Sequence, residues 1–371
     1  MAAMGQLIRY LPLFFLAASV CFGQAGTAPA TVPASEPTAL TEPAPVPTPL
    51  RILEEIPLPS LHIERSYWRS VAGNQEFYVQ TDPGKYTAVD LKGQTHTALD
   101  VSLVPATDSM NPSDLFVIDL AQDPRGGVIA PVLWNETPNK TRAGILRFDE
   151  HGDYNELIWL DTELIPTHVA EFSSSGDYLV TGYDPYGQVH VALFNFQGKM
   201  VIPQVFSYGN TEDVAGKQTA GQADRPSDQS VLKASLIQMA SGDDDAVYLF
   251  NPASGRKVIR VQPSGKWTEI DLPKPASLEG TLPLAMFVSH SSLYLDEAIL
   301  DKEQKLEGVS VLKHFALSVY DRYDGTLNAT YRMDIAFGAT PVSLSPREFY
   351  FLKAKVLPGG ALSFSLIRAG S

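Results

Sequence analysis

The stretch from Pro166 to Ile202 constrains the fold of this chain more than any other. It reads Pro-Thr-His-Val-Ala-Glu-Phe, then Ser-Ser-Ser-Gly-Asp, then Tyr178-Leu-Val. Thr-Gly-Tyr-Asp-Pro-Tyr-Gly follows, then Val189-His-Val-Ala-Leu-Phe194, Asn-Phe-Gln-Gly198 and Lys-Met-Val-Ile. Four runs rich in β-branched and aromatic residues are thus separated by three turns, each with Gly or Asp where a positive φ costs little. The spacing predicts a four-stranded antiparallel sheet of about 40 residues, the size of one propeller blade.

The same texture runs from residue 51 to the end. The turn between third and fourth strands recurs as Val89-Asp-Leu-Lys-Gly93, Phe148-Asp-Glu-His-Gly152, Phe194-Asn-Phe-Gln-Gly198, Val261-Gln-Pro-Ser-Gly265 and Tyr320-Asp-Arg-Tyr-Asp-Gly325. Its glycines lie 59, 46, 67 and 60 residues apart, so the longer intervals carry loop insertions. A sixth unit begins at Pro341 and stops after three strands, Val342–Leu344, Phe349–Leu352 and Leu362–Ile367. Its missing fourth strand is expected at the other end of the domain. Arg51–Pro59 shares Glu-Ile-x-Leu-Pro with the fourth-strand sequence Trp267–Pro273. An all-β, six-bladed β-propeller over residues 51–371, closed by that N-terminal strand, is the predicted fold, and seven blades are the alternative. Ile299–Phe315 has the best helical spacing in the chain but reads as a long strand-connecting hairpin.

The unit at 166–206 resembles an NHL-type repeat. It has the strand, the x-x-x-Gly-Asp turn, the aromatic-Leu-Val strand and a third strand ending in Phe before a Gly turn. The resemblance implies a propeller fold and brings no activity with it.

Residues 1–23 carry one charge, Arg9, then an apolar run from Leu11 to Phe22 and small residues at Gly23, Ala25 and Gly26. That order predicts a cleavable signal peptide. The run falls short of the about 20 apolar residues that span a bilayer. Cys21 would be the acylated residue of a lipoprotein, but Val20 stands where such sites place Gly or Ala. If the signal is removed, the single cysteine leaves with it, and disulfides and thiolate metal sites go too. Residues 24–50 form a spacer of Ala, Pro, Thr and Glu with too little apolar surface to fold. The net charge is −14, or −15 once Arg9 is gone, and no basic stripe offers itself to phosphates. Nucleic-acid and anionic-membrane partners are therefore disfavoured. The expectation is a secreted or periplasmic monomer without an integral membrane segment.

Ligands of propellers meet the loops at one channel mouth. His168 at the start of an inner strand, Asp114 in the matching place of the second unit and Trp68 in the first could together bind a polar or sugar-like ligand. Turn capping and packing is the competing reading. The seven histidines do not cluster, so neither a metal site nor a cofactor is predicted. Asp243-Asp244-Asp245 is the densest acid group and reads as a solvated turn rather than a calcium loop. No Gly-x-Ser-x-Gly elbow is present. Tyr208–Ser230 is a polar insertion, and the insertion 130–144 carries Trp134, expected at the surface. Asn135, Asn139 and Asn328 lie in glycosylation sequons. The sequence points to a binding or scaffold module for a protein or glycan partner. A hydrolase or lyase acting at the channel mouth, with or without a divalent metal, is the alternative.

Overall fold

The computed structural model describes residues 46–61, 63, 70–73, 75–106, 110–137, 140–207, 236–306, 309–333, 339–345, 347–357 and 361–371, without the side chains of 300–312. The signal segment 1–23, the spacer up to residue 45, Trp68, the insertion 208–230 and Asn139 lie outside the described residues.

Runs of β-branched and aromatic residues become strands, and the Gly- and Asp-bearing stretches become the turns between them. β1 is Thr48–Pro57. A first sheet follows, β2 (Ser70–Val71), β3 (Glu76–Asp82), β4 (Lys85–Asp90) and β5 (Thr95–Asp100), hydrogen-bonded in chain order. The second sheet has an interrupted inner strand, β6 (Leu115–Val117) and β7 (Ala121–Gln122). Both halves pair with β8 (Val128–Thr137), which is followed by β9 (Lys140–Phe148) and β10 (Tyr154–Trp159). The third is β11 (Ile165–Glu171), β12 (Tyr178–Tyr183), β13 (Val189–Phe194) and β14 (Met200–Ile202), the four runs expected of Pro166–Ile202. The fourth is β15 (Gln238–Ser241), β16 (Val247–Phe250), β17 (Lys257–Val261) and β18 (Trp267–Asp271).

The rest is one eight-stranded sheet built of two four-stranded halves. The fifth unit is β19 (Leu282–Ser289), β20 (Ser292–Leu306), β21 (Val309–Asp321) and β22 (Leu327–Met333). The sixth is β23 (Ala339–Leu344), β24 (Phe349–Val356) and β25 (Leu362–Gly370), with β1 as its outer strand. β1 pairs antiparallel with β25 from Arg51↔Gly370 to Pro57↔Ser365. Its first residues pair parallel with β22, Thr48↔Tyr331 to Leu50↔Met333, and this fuses the two halves. The arrangement is an all-β propeller of four-stranded antiparallel blades. Ile299–Phe315 is indeed the reach of a long hairpin, with β20 and β21 paired out to Leu306↔Val309.

Core formation follows from strand alternation. Because successive side chains point to opposite faces, each blade offers one apolar set to the blade before it and one to the blade after it. Six apolar clusters among the described residues fill the gaps between sheets. Tyr78, Tyr86 and Leu99 of the first sheet pack on Val128, Leu146 and Phe148 of the second. Ile129 and Ile145 meet Val169, Tyr178 and Phe194 of the third. The next gaps are filled around Leu179 and Leu249, around Tyr248 and Leu293, and around Tyr294 and Phe351. The sixth cluster joins Val342, Leu352 and Leu366 to Phe77, Val79 and Val89 of the first sheet.

Up-and-down strands place connections at two ends. At one end lie the turns from first to second and from third to fourth strand, all short. At the other lie the β20–β21 hairpin reach, the second-to-third-strand loops and the crossings to the next sheet. Each tight third-to-fourth turn rests on the outer strand of the preceding sheet. Gly152, at φ 80°, is so close that a Cβ would lie 2.0 Å from the Thr97 carbonyl oxygen of β5. Gly93 approaches Ile56 and Leu58 at the end of β1 in the same way, and Gly198, Gly265 and Gly325 repeat the relation. Trp134 departs from expectation. Its place in β8 opposite Leu115 turns it into the core, 4% exposed, with its ring 5.6 Å from that of Trp159.

Candidate functional site

Inner strands line the middle of a propeller, so polar groups on them are the first candidates. His168 on β11 pairs in register with Thr181, the fourth residue of β12. Gln238 on β15 faces Phe250, the fourth residue of β16, and Thr340 on β23 faces Leu352, the fourth of β24. In the second sheet the Ile118 amide donates to Pro131, the fourth residue of β8, and Asp119 follows it. Asp119, His168, Gln238 and Thr340 therefore stand at about one level on the inner strands of four units, the second, third, fourth and sixth.

Two of these bridge neighbouring sheets. His168 Nδ1 and Asp119 Oδ2 form a hydrogen bond, with the two side chains 15% and 14% exposed. Gln238 Nε2 donates to the Leu284 carbonyl at 2.7 Å, and its Oε1 accepts from the Met286 amide at 2.8 Å. His168 Nε2 has no hydrogen-bond partner among the described residues. When Nδ1–H donates to the Asp119 carboxylate, Nε2 presents a lone pair, able to accept a hydrogen from a ligand hydroxyl or amine, or a proton.

Asp114 is elsewhere. It ends a single helical turn, Pro112–Asp114, capped by the Asn111 side chain, and is exposed at the long-loop end. The residue that partners His168 is Asp119, five positions later. It lies between β6 and β7, where a break in the inner strand blurs the alternation that would have marked it. Trp68 is outside the described residues.

Larger charged clusters occupy the tight-turn end. Arg147, Arg260 and Arg368 sit on third strands opposite Ile129, Tyr248 and Tyr350, each the second residue of its neighbour strand. Each holds a carboxylate from the turn between first and second strands: Asp123 at 2.5 Å, Asp244 at 2.8 Å and Glu348 at 3.1 Å. Arg147 also lies 3.4 Å from Glu171 of the third sheet and donates to the Tyr178 hydroxyl at 3.1 Å. Arg125 donates to the other oxygen of Glu171. Burial, reinforced by the Asp123 charge, pushes the Glu171 carboxyl up to about 7 against the pull of Arg147 and Arg125. Burial likewise lifts Tyr178 to about 12.

The Asp243–Asp245 triplet lies in a turn, as expected, and Asp243 is exposed, but its carboxylates are bonded to neighbouring groups rather than left to water. Asp243 accepts from Arg322 of the fifth unit. Asp244, 12% exposed, accepts from Arg260 and from the Tyr248 hydroxyl of its own sheet. Asp245 accepts from Ser173 Oγ at 2.9 Å and the Ser174 amide at 3.0 Å in the third sheet. Consecutive side chains diverge, so three neighbouring acids tie three sheets together. Among the described residues no group of three His, Cys, Asp or Glu side chains could hold a metal ion.

A further ion pair joins the fourth and fifth units. Arg256 Nη2 donates to both Glu297 oxygens at 2.6 and 2.5 Å, and Thr281 and Ser318 hydroxyls donate to the same carboxylate. These arginines were legible only as an Arg placed just before the third strand's last residue or turn, in Leu146-Arg147-Phe148, Ile259-Arg260-Val261 and Ile367-Arg368-Ala369. No helix among the described residues is long and apolar enough to cross a membrane.

No family model matches the chain, and no curated protein matches it. Among solved structures it is similar to a TolB-type protein from Agrobacterium tumefaciens, at 12% identity and TM-score 0.38, over 71% of this chain and 80% of that one. It is similar to the β-propeller domain of the Trilobed protease from Pyrococcus furiosus, at 8% identity and TM-score 0.36, over 64% of each chain. A prolyl endopeptidase matches at 13% identity and TM-score 0.37, over 82% of this chain and half, 50%, of that one. The fold assignment rests on the strand pairing itself.

Proposed function

We propose that this protein is an exported six-bladed β-propeller that binds a protein or glycan partner at its long-loop end. The observation that carries the reading is what that end displays. Tyr186, Leu103, Leu282, Val356 and Leu357 are all exposed on its loops and strand ends, Tyr186 at 75%. Large apolar side chains left in water suit a contact surface; the tight-turn end has fewer, with Phe196 and Tyr323 exposed on its turns and Trp267 just after one. Meanwhile the strongest charged clusters are spent on ion pairs between sheets.

Six blades are favoured by the sixth apolar cluster, which links the β23–β25 unit to the first sheet, and by the rest of Gly93 on the end of β1. The NHL-like pattern of 166–206 accords with such a blade. Export follows from residues 1–23; the spacer that would stand the ring off ends before residue 48 rather than at 50, because Thr48, Pro49 and Leu50 are already part of β1.

A second reading, an enzyme acting at the channel, draws on one observation, the Asp119–His168 pair with a free Nε2. Such a pair is the base and its orienting partner in many hydrolytic sites. One experiment separates the two. The native chain, Tyr186→Ser and His168→Ala are titrated against peptide and glycan panels and assayed with ester and glycoside substrates. Binding lost in Tyr186→Ser, with melting temperature unchanged, supports the binding module. Turnover lost in His168→Ala but kept in Tyr186→Ser would replace it with the enzyme. Mass spectrometry of exported protein that found residues 1–23 still attached would overturn the compartment.

A further inference from the structure

The β20–β21 hairpin leaves its sheet at a definite place. On one side β19 pairs with β20 only as far as Leu282↔Ala298. On the other, β22 pairs with β21 only as far as Arg332↔Ala316. Beyond Ala298 and His314, which face each other, the two arms pair, among the described residues, only with one another, out to Leu306↔Val309. An isolated two-stranded ribbon is marginal in water, so its order depends on how it is fastened at the root. A register shift between Glu297 and Ala298 loosens the ladder at that same place.

A buried ion pair sits at the branch. His314 Nδ1 on one arm meets Asp296 Oδ2 on the other at 2.6 Å. Asp296 is 1% exposed at its side chain and His314 24%. The second Asp296 oxygen has no hydrogen-bond partner among the described residues, where His314 is the group that compensates this carboxylate. Among the described residues the nearby charges have other partners. Glu297, the next residue, belongs to Arg256, Thr281 and Ser318. Arg332 on β22 lies over the Phe315 ring at 5.3 Å. Lys313 is beside His314 on β21, and β19 and β23 carry no charged side chain. On the Tyr294 side, burial lifts that phenol to about 12, which keeps it neutral.

We propose that Asp296 and His314 form a proton-dependent latch, which holds the β20–β21 arm on the propeller while the imidazole is charged and loosens the arm when it is not. A neutral imidazole can still donate its Nδ1–H, but it brings no charge to a carboxylate in a low-dielectric gap. Asp296 holds the His314 imidazolium against burial, and its pKa is raised above the ordinary imidazole value. The latch is therefore whole below that ordinary value, about 6.5, and is lost as pH rises through the higher folded value.

Hydrogen exchange of the full-length chain, followed by mass spectrometry from pH 5.5 to 9, tests the proposal. After correction for intrinsic rates, exchange in peptides covering 299–313 should quicken severalfold as pH rises across the His314 titration. Peptides from β12 and β16 should not change. His314→Arg, charged throughout, should keep the arm protected at every pH. Asp296→Asn should remove the pH dependence while the melting temperature stays near native. Arm exchange that is flat in the native chain, or equally pH-dependent in Asp296→Asn, would overturn the latch. If either variant fails to fold, the native profile decides alone.

Discussion

Arg147 shows how single residues bind this fold together. Its side chain is 7% exposed and lies between Asp123 of its own sheet and Glu171 of the next. Burying charges costs several kcal/mol, and removing one partner leaves the others uncompensated. Arg147→Met should therefore lose about 3–5 kcal/mol in urea unfolding, far more than a surface arginine would. The acid triplet makes a pH prediction. Hydrogen bonds from Ser173 and Ser174 outweigh burial and hold the Asp245 carboxyl below its ordinary range. A depressed carboxyl stabilises the fold above its unfolded value, and that stability is lost as pH falls through the folded one. In Asp245→Asn, which keeps a residue that tolerates the φ of 55° found there, melting temperature should fall less steeply between pH 5 and 2. A slope equal to the native one would mean that the bond to the third sheet contributes nothing.

At the scale of elements, the third-to-fourth turn was the most readable feature of the chain. The glycines that mark it do two things at once. They take the positive φ that the turn needs, and they let the turn lie against the preceding sheet. Only the first was legible, because the neighbour, Thr97 for Gly152, is 55 residues away in the chain. Gly152→Ala should cost about 1–3 kcal/mol through strain at φ 80°, with the clash on Thr97 added. Thermal unfolding measures it, and a neutral outcome would show that the two sheets can part there. Trp134 marks the opposite case. Read beside Asn135, Glu136 and Thr137 it belongs to a polar insertion, but β8 extends through it and alternation turns it inward. The inner strand broken into β6 and β7 hid Asp119 for the same reason, since a period of two cannot be followed across a gap.

For the molecule as a whole, β1 is the element on which closure turns. It is drawn from the start of the folded chain, yet it completes the unit made by the last three strands and clips it to β22. Leu50, 4% exposed, sits in the same cluster as Phe349, Phe351 and Ile367. Deleting residues 46–57 should abolish cooperative unfolding and leave β25 as an open edge prone to association. Leu50→Ala should keep the fold and lose about 2–3 kcal/mol. Circular dichroism with gel filtration separates the two outcomes, and a deletion variant that melts as the native chain does would remove β1 from any role in closure.

The sequence by itself determined the strands, the turns, the blade repeat and the partnership of the first strand with the last. All of these follow from local periodicity, turn chemistry and a shared Glu-Ile-x-Leu-Pro. Only the tertiary structure decided which side chains meet across the gaps between sheets. Tyr178 and Tyr248 occupy second strands one residue out of step, so Tyr178 packs toward the preceding sheet and Tyr248 toward the following one. A shift of one residue reverses a side chain's face. The pairings that define the candidate sites, Asp119 with His168 and Asp296 with His314, lie beside register shifts at Pro166/His168 and Glu297/Ala298 that composition does not reveal.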